Sequence, residues 1–189
     1  MRRKGIEKIP PRPIHLHAEP LWTEHDGVGT VSGEVRLYTE LEVAEPSFTV
    51  KLRIPIGATR ATVRLAAEDS LDIETEPCTG DCAVFTVDSR DIAANSDGER
   101  TEYERIFMHG RVSRRISRRA LLAWALLRVA EYVRAKVEGI SDIALLDLVE
   151  GGECARLAVM HDDTLVACQL ESAEGRRMIN NDIMEGAPL

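Results

Sequence analysis

Five arginines, Arg111, Arg114, Arg115, Arg118 and Arg119, fall within nine residues that contain no acid. On a helix they cover an arc of about 140°, all basic. The planar guanidinium fork suits phosphates and carboxylates. Together with Arg2, Arg3 and Lys4, such a face can grip an RNA or DNA backbone. Two other readings stand beside this one. The arginines can pair with the chain's own acids, of which Glu99, Glu102 and Glu104 lie just upstream, or they can meet an acidic protein partner. The net charge of −8 weighs against a generic polyanion, because an acidic surface repels phosphates at long range.

Other chemistry-bearing residues are scattered. His15 and His17 share one face of an extended segment, with His25, Glu19, Glu24 and Asp26 near in sequence. A segment containing Pro10, Pro11, Pro13 and Pro20 holds ligands poorly within the tolerance a metal demands. His161, Asp162 and Asp163 sit together, but turns favour Asp for backbone reasons alone. Ser113 and Ser117 have no neighbouring histidine in sequence, and without a base no triad can be inferred. Gly27-Val28-Gly29 leads into a strand pattern rather than a phosphate-binding helix. Cys78 and Cys82 flank a turn-like spacer, and Cys154 and Cys168 stand apart. Free thiols, a local 78–82 disulfide and a metal site all remain open for that pair. The sequence predicts no catalytic residue, no metal and no cofactor.

The elements that must position these residues follow from periodicity. A chain of 189 residues with 44% hydrophobic and 30% charged residues can bury a core and is not disordered. No apolar run approaches the ~20 residues that span a bilayer. The basic start runs into prolines rather than an apolar stretch, so the expected location is the cytoplasm. Only four of the 24 basic residues are lysines, a bias that fits a GC-rich genome or a prokaryotic thermophile.

Residues 1–26 read as an extended arm. From 27 to 110 the chain alternates as strands do: Val35, Leu37 and Thr39, then Phe48, Val50, Leu52 and Ile54, then Ala61, Val63 and Leu65, then Val84 to Val87. A last strand is expected at Tyr103 to Met108, and the set predicts an antiparallel β-sandwich. Residues 111–189 form an α/β unit. Val112 to about Glu138, free of proline and glycine, predicts a long helix stopped at Gly139. It is apolar nearly all round after Ala120, with Trp124 opposite the main stripe. Ile143 to Val149 predicts a strand, and Cys154 to Met160 with Thr164 to Leu170 a hairpin about His161-Asp162-Asp163, Leu157 facing Cys168 and Val159 facing Val166. A short terminal helix from Ser172 completes an α+β chain: β-sandwich, long helix, three-stranded antiparallel meander, helix.

The run from Ile143 to Gly152, followed by Ala155 to Cys168 and by Glu174-Gly175, resembles the PATAN-type modules of prokaryotic signalling proteins, and also roadblock domains. The likeness spans about 120–186, although Asp162-Asp163 stands where the pattern has aspartate–glycine. It implies a non-enzymatic adaptor or regulatory module acting through protein–protein contacts, with no catalytic residue to carry over. Self-association is expected too, since a small sheet covers only one side of so apolar a helix. The alternatives are a nucleic-acid or ribosome-associated factor using the arginine face, and a ligand-binding protein or enzyme whose site is assembled from residues distant in sequence.

Overall fold

The computed structural model describes residues 6–67, 81–94, 98–108 and 116–168. Strand β1 (His15–His25) pairs antiparallel with β2 (Val31–Glu40), β2 with β3 (Ser47–Ile54), and β3 with β5 (Cys82–Asp88). Beyond β5 every pairing is parallel: β4 (Arg60–Ala66) with β5 and with β6 (Asp142–Asp147), and β6 with β7 (Val166–Cys168). The result is one seven-stranded sheet in the order β1-β2-β3-β5-β4-β6-β7.

This corrects the expected β-sandwich. The alternation in β2 and β3 does mark an antiparallel ribbon with one buried and one wet face. β4 differs: all its residues after Arg60 are buried, as befits a parallel strand covered on both faces. Parallel neighbours need long crossovers, and that from β5 to β6 carries α1 (Ser89–Ile92), α2 (Glu102–Phe107) and α3 (Arg118–Lys136). The strand expected at Tyr103 to Met108 is α2. Its start is a capping box in which Thr101 Oγ1 accepts from Glu104 N at 3.1 Å and Glu104 Oε2 accepts from Thr101 N at 2.8 Å.

The expected meander is also corrected. Cys154 to Met160 falls on a helix, α4 (Glu153–Val159), whose Cys154, Ala155, Leu157 and Ala158 are buried, a spacing of three and four that suits packing on α3. No hairpin ladder joins Leu157 to Cys168 or Val159 to Val166. β7 instead pairs with β6, Leu146 opposite Cys168 and Ala144 opposite Val166. The helix expected from Ser172 lies outside the described residues.

α3 is the centre of the helical layer. Ser117 caps it by accepting from Ala120 N at 3.0 Å, and Gly139 follows its end at φ 85°. Every residue from Ala120 to Ala130 is buried. The apolar circumference is enclosed within the chain, by β4, α1, α2 and α4 and by the segment before β1. Trp124, fully buried, donates from Nε1 to Pro11 O at 2.8 Å. Tyr103 and Phe107 lie 5.5 and 5.7 Å from its ring, and Phe48 lies 5.9 Å from Tyr103. Tyr103 Oη and Thr39 Oγ1 are 3.0 Å apart, so α2 is fixed to the sheet by one hydrogen bond inside an aromatic cluster.

A bulge between Pro20 and Trp22 shifts the β1–β2 register. There Gly33 runs so near the opposite strand that a Cβ would stand 2.5 Å from Trp22 O. Backbone cannot yield as a flexible side chain does. Gly33→Ala is therefore expected to lower unfolding stability by about 1–3 kcal/mol, read from urea denaturation. A change within about ±0.5 kcal/mol, the scatter of neutral surface changes, would show that the bulge is not so constrained.

Candidate functional site at the carboxyl edge of the sheet

β4 and β6 are neighbours, but the chain leaving β4 next enters the sheet at β5, on one side, and the chain leaving β6 enters at β7, on the other. Such a switch point opens a crevice at the carboxyl ends of the two strands, where open α/β sheets hold their ligands. The connection after β4 lies outside the described residues. The one after β6, as far as α4, is fully described, and it is closely braced.

Leu148 N donates to Leu65 O at 3.0 Å, extending β6 along β4. Asp147, 5% exposed, then accepts three backbone N–H groups. Its Oδ1 takes those of Val149 and Glu150 and its Oδ2 that of Cys154, each at 2.9 Å. One carboxylate thus ties the strand's end to the first turn of α4. Gly151 and Gly152 make the reversal with φ of 61° and 89°, left-handed conformations that glycine adopts without a Cβ penalty. The thiol of Cys154 is fully buried and pushed up by burial and by the charge of Asp147. It is a packing group, not a thiolate.

Around this elbow stands a set of ion pairs. Arg118 is bound to Glu150. Arg119 reaches Glu7 through Nε at 3.0 Å and Nη2 at 2.5 Å, and Glu153 through Nη1 at 3.4 Å. Glu7 also accepts from Ser117 Oγ, and its backbone oxygen lies 2.9 Å from His161 Nε2. Ser117 and Arg119 hold the Glu7 carboxyl below its ordinary value. The segment at Glu7 is thereby fastened over the amino end of α3.

Of the arginines singled out in the sequence, Arg118 and Arg119 come to this edge, each paired with acids of the chain itself: Glu7, Glu150 and Glu153 rather than Glu99, Glu102 or Glu104. Arg111, Arg114 and Arg115 lie outside the described residues, as does Cys78. His15 and His17 stack 5.6 Å apart on β1, and His17 stacks on Tyr38 at 4.8 Å. Among the described residues no group of three or more His, Cys, Asp or Glu is placed to hold a metal ion. Asp162 pairs with Arg134 at 2.7 Å. A shallow apolar hollow of about 470 Å³, lined by Ile54, Ile56, Gly57 and Gly139 among others, sits at the opposite end of the parallel strands, away from the switch point. Asp147, the glycine pair and Glu7 were not singled out from the sequence. The available signal was an apolar strand ending in Asp, then Gly-Gly, then small residues at helical spacing.

No family model and no curated protein matches this chain. Solved structures do. A glucuronoyl esterase from Solibacter usitatus superposes with a TM-score of 0.63 at 15% identity, over 85% of this chain and 52% of that one. One from Teredinibacter turnerae gives 0.62 at 13%, over 85% and 46%, and one from Sporotrichum thermophile 0.57 at 17%, over 85% and 41%. The chain spans about half the length of these proteins, or less. At such identities the likeness defines the fold, that of the α/β-hydrolases. It overturns the resemblance to PATAN and roadblock modules over 120–186, and with it the reading as a non-enzymatic adaptor. The supposed hairpin that carried the resemblance is α4 and a parallel strand. Among the described residues no helix is long and apolar enough to cross a membrane.

Two outcomes follow from this geometry. Asp147→Ala strips three backbone N–H groups of their acceptor, that of Cys154 buried and those of Val149 and Glu150 half-buried, and should cost about 2–3 kcal/mol by chemical denaturation; a loss under about 1 kcal/mol would mean that the elbow does not depend on it. Glu7, with its carboxyl held below the usual 4.5, stabilises the fold above that pH and ceases to as pH falls through the lowered value. The Tm difference between wild type and Glu7→Gln should accordingly be present at pH 7 and shrink below pH 4.5. A difference independent of pH would sink this assignment.

Proposed function

We propose that this chain is an α/β-hydrolase-fold protein that recognises a sugar ester at the carboxyl edge of β4 and β6. The observation that carries the reading is the coincidence of the topological switch point with the Asp147-braced elbow, since this fold places its ligand chemistry at the turn from strand to helix. The ligand class is taken from the fold neighbours, one of which is described in complex with methyl 4-O-methyl-beta-D-glucopyranuronate. It also suits the local chemistry. Arg118 and Arg119 supply planar donors for sugar and carboxyl oxygens, and Gly151 and Gly152 let a ligand approach the backbone closely.

Titration calorimetry with that methyl uronate ester is expected to give saturable binding at millimolar concentrations or below, about −4 kcal/mol or stronger. Hydrogen-exchange protection should centre on 147–154. Protection confined to the apolar hollow at Ile54–Gly57, or no saturable heat at all, would reject the proposal.

A further inference from the structure

The residue between strand and helix in an α/β-hydrolase is where the nucleophile stands, its side chain thrust up at the top of the sheet by a sharp, strained turn. In this chain five residues, Leu148, Val149, Glu150, Gly151 and Gly152, lie between β6 and α4. The last two are left-handed glycines, with φ of 61° and 89°. None of the five carries a hydroxyl or a thiol, and the one carboxylate among them is that of Glu150.

Nor does a neighbour in the elbow take over that role. Asp147 spends both carboxylate oxygens on backbone N–H groups. Glu150 is bound to Arg118. Glu153 is held by Arg156 at 2.5 Å and Arg119 at 3.4 Å. Cys154 faces inward, fully buried, with its thiol pushed up. A neighbour in this fold is described as a serine-to-alanine mutant bound to a uronate ester, so ester binding and possession of that hydroxyl are separable there.

We infer that the β6–α4 elbow of this chain binds its sugar ester without forming an acyl-enzyme, because its turn offers no hydroxyl or thiol and its one carboxylate, Glu150, is bound to Arg118. This rests on the proposed reading of the site as a sugar-ester site. Carbonyl attack by an enzyme side chain is removed at its first step, and what remains is recognition by the braced turn and the arginine rim. The glycines also make the turn free of the strain that a side chain would bring to a left-handed pivot.

The experiment uses the full chain and methyl 4-O-methyl-β-D-glucopyranuronate, with three readouts: calorimetric binding, released methanol, and intact mass after exposure to a fluorophosphonate probe. Saturable binding, with methanol at the buffer rate and an unmodified mass, is the expected result. Methanol released catalytically, or a probe adduct on any residue, overturns the inference while leaving the sugar-ester site standing. No saturable binding overturns the site reading, and this inference with it.

Discussion

A helix that is apolar around its whole circumference must be enclosed on every side, and the enclosure of α3 organises the rest of this molecule. The sheet takes one face. α4, with small buried residues toward α3, takes a second, and α2 closes another through the Phe48–Tyr103–Trp124 cluster. The segment before β1 covers what is left, tied by Trp124 to Pro11 and by Arg12 to Glu131 at 3.1 Å. One polar group is caught inside. Arg128, 2% exposed, lies over the Trp124 ring at 5.6 Å and 3.1 Å from Glu131, though not aligned for a hydrogen bond through that nitrogen. Burial pushes it down to about 10. It stays charged at neutral pH because Glu131 and the indole face offset part of its desolvation.

That enclosure fixes where the site lies. α3 ends the crossover from β5 and delivers the chain to β6 on the far side of β4, which creates the switch point. Its amino end brings Ser117, Arg118 and Arg119 to the same edge as the turn after β6. The polar network there is largely internally satisfied: Asp147 answers three N–H groups, and the two arginines answer Glu7, Glu150 and Glu153. Exposed ion pairs of this kind contribute little each. Asp147, buried and accepting three hydrogen bonds, is a larger contributor to the elbow's shape.

Local signals in the sequence carried part of this. Alternation located β2, β3, β4 and β5, and Ile143 to Val149 located β6, because side-chain period depends only on near neighbours. The long helix was legible for the same reason, and the expected strand at Thr164 to Leu170 likewise contains β7. Pairing was not legible. Nothing within β4 says that its partners are β5 and β6, so six correctly located strands were assembled into the wrong sheet. Two short helices were read as strands. Tyr103, Ile106 and Phe107 are residue types that favour strands, while their spacing of three and four and the Thr101–Glu104 capping box, readable as T-x-x-E, marked a helix. In α4, Leu157 and Val159 suggested a strand, and Cys154, Ala155 and Ala158 held the helical period. Two residues of the arginine run, Arg118 and Arg119, lie at the edge of the switch point, but Arg119's partner Glu7 lies over a hundred residues away in sequence, beyond any local pattern.

The elbow's geometry is fixed by forces that can be named one by one. The forces that hold this turn are backbone acceptors on Asp147, the close packing of α4 on α3, and the extension of β6 along β4. All of these act through backbone groups or through residues outside the turn's two glycines. A side chain in a left-handed conformation imposes a cost that the surrounding structure must absorb, and Gly151 and Gly152 take that conformation without a Cβ penalty. The shape of the turn is therefore set by Asp147 and by packing on α3, independently of what the turn's own side chains carry.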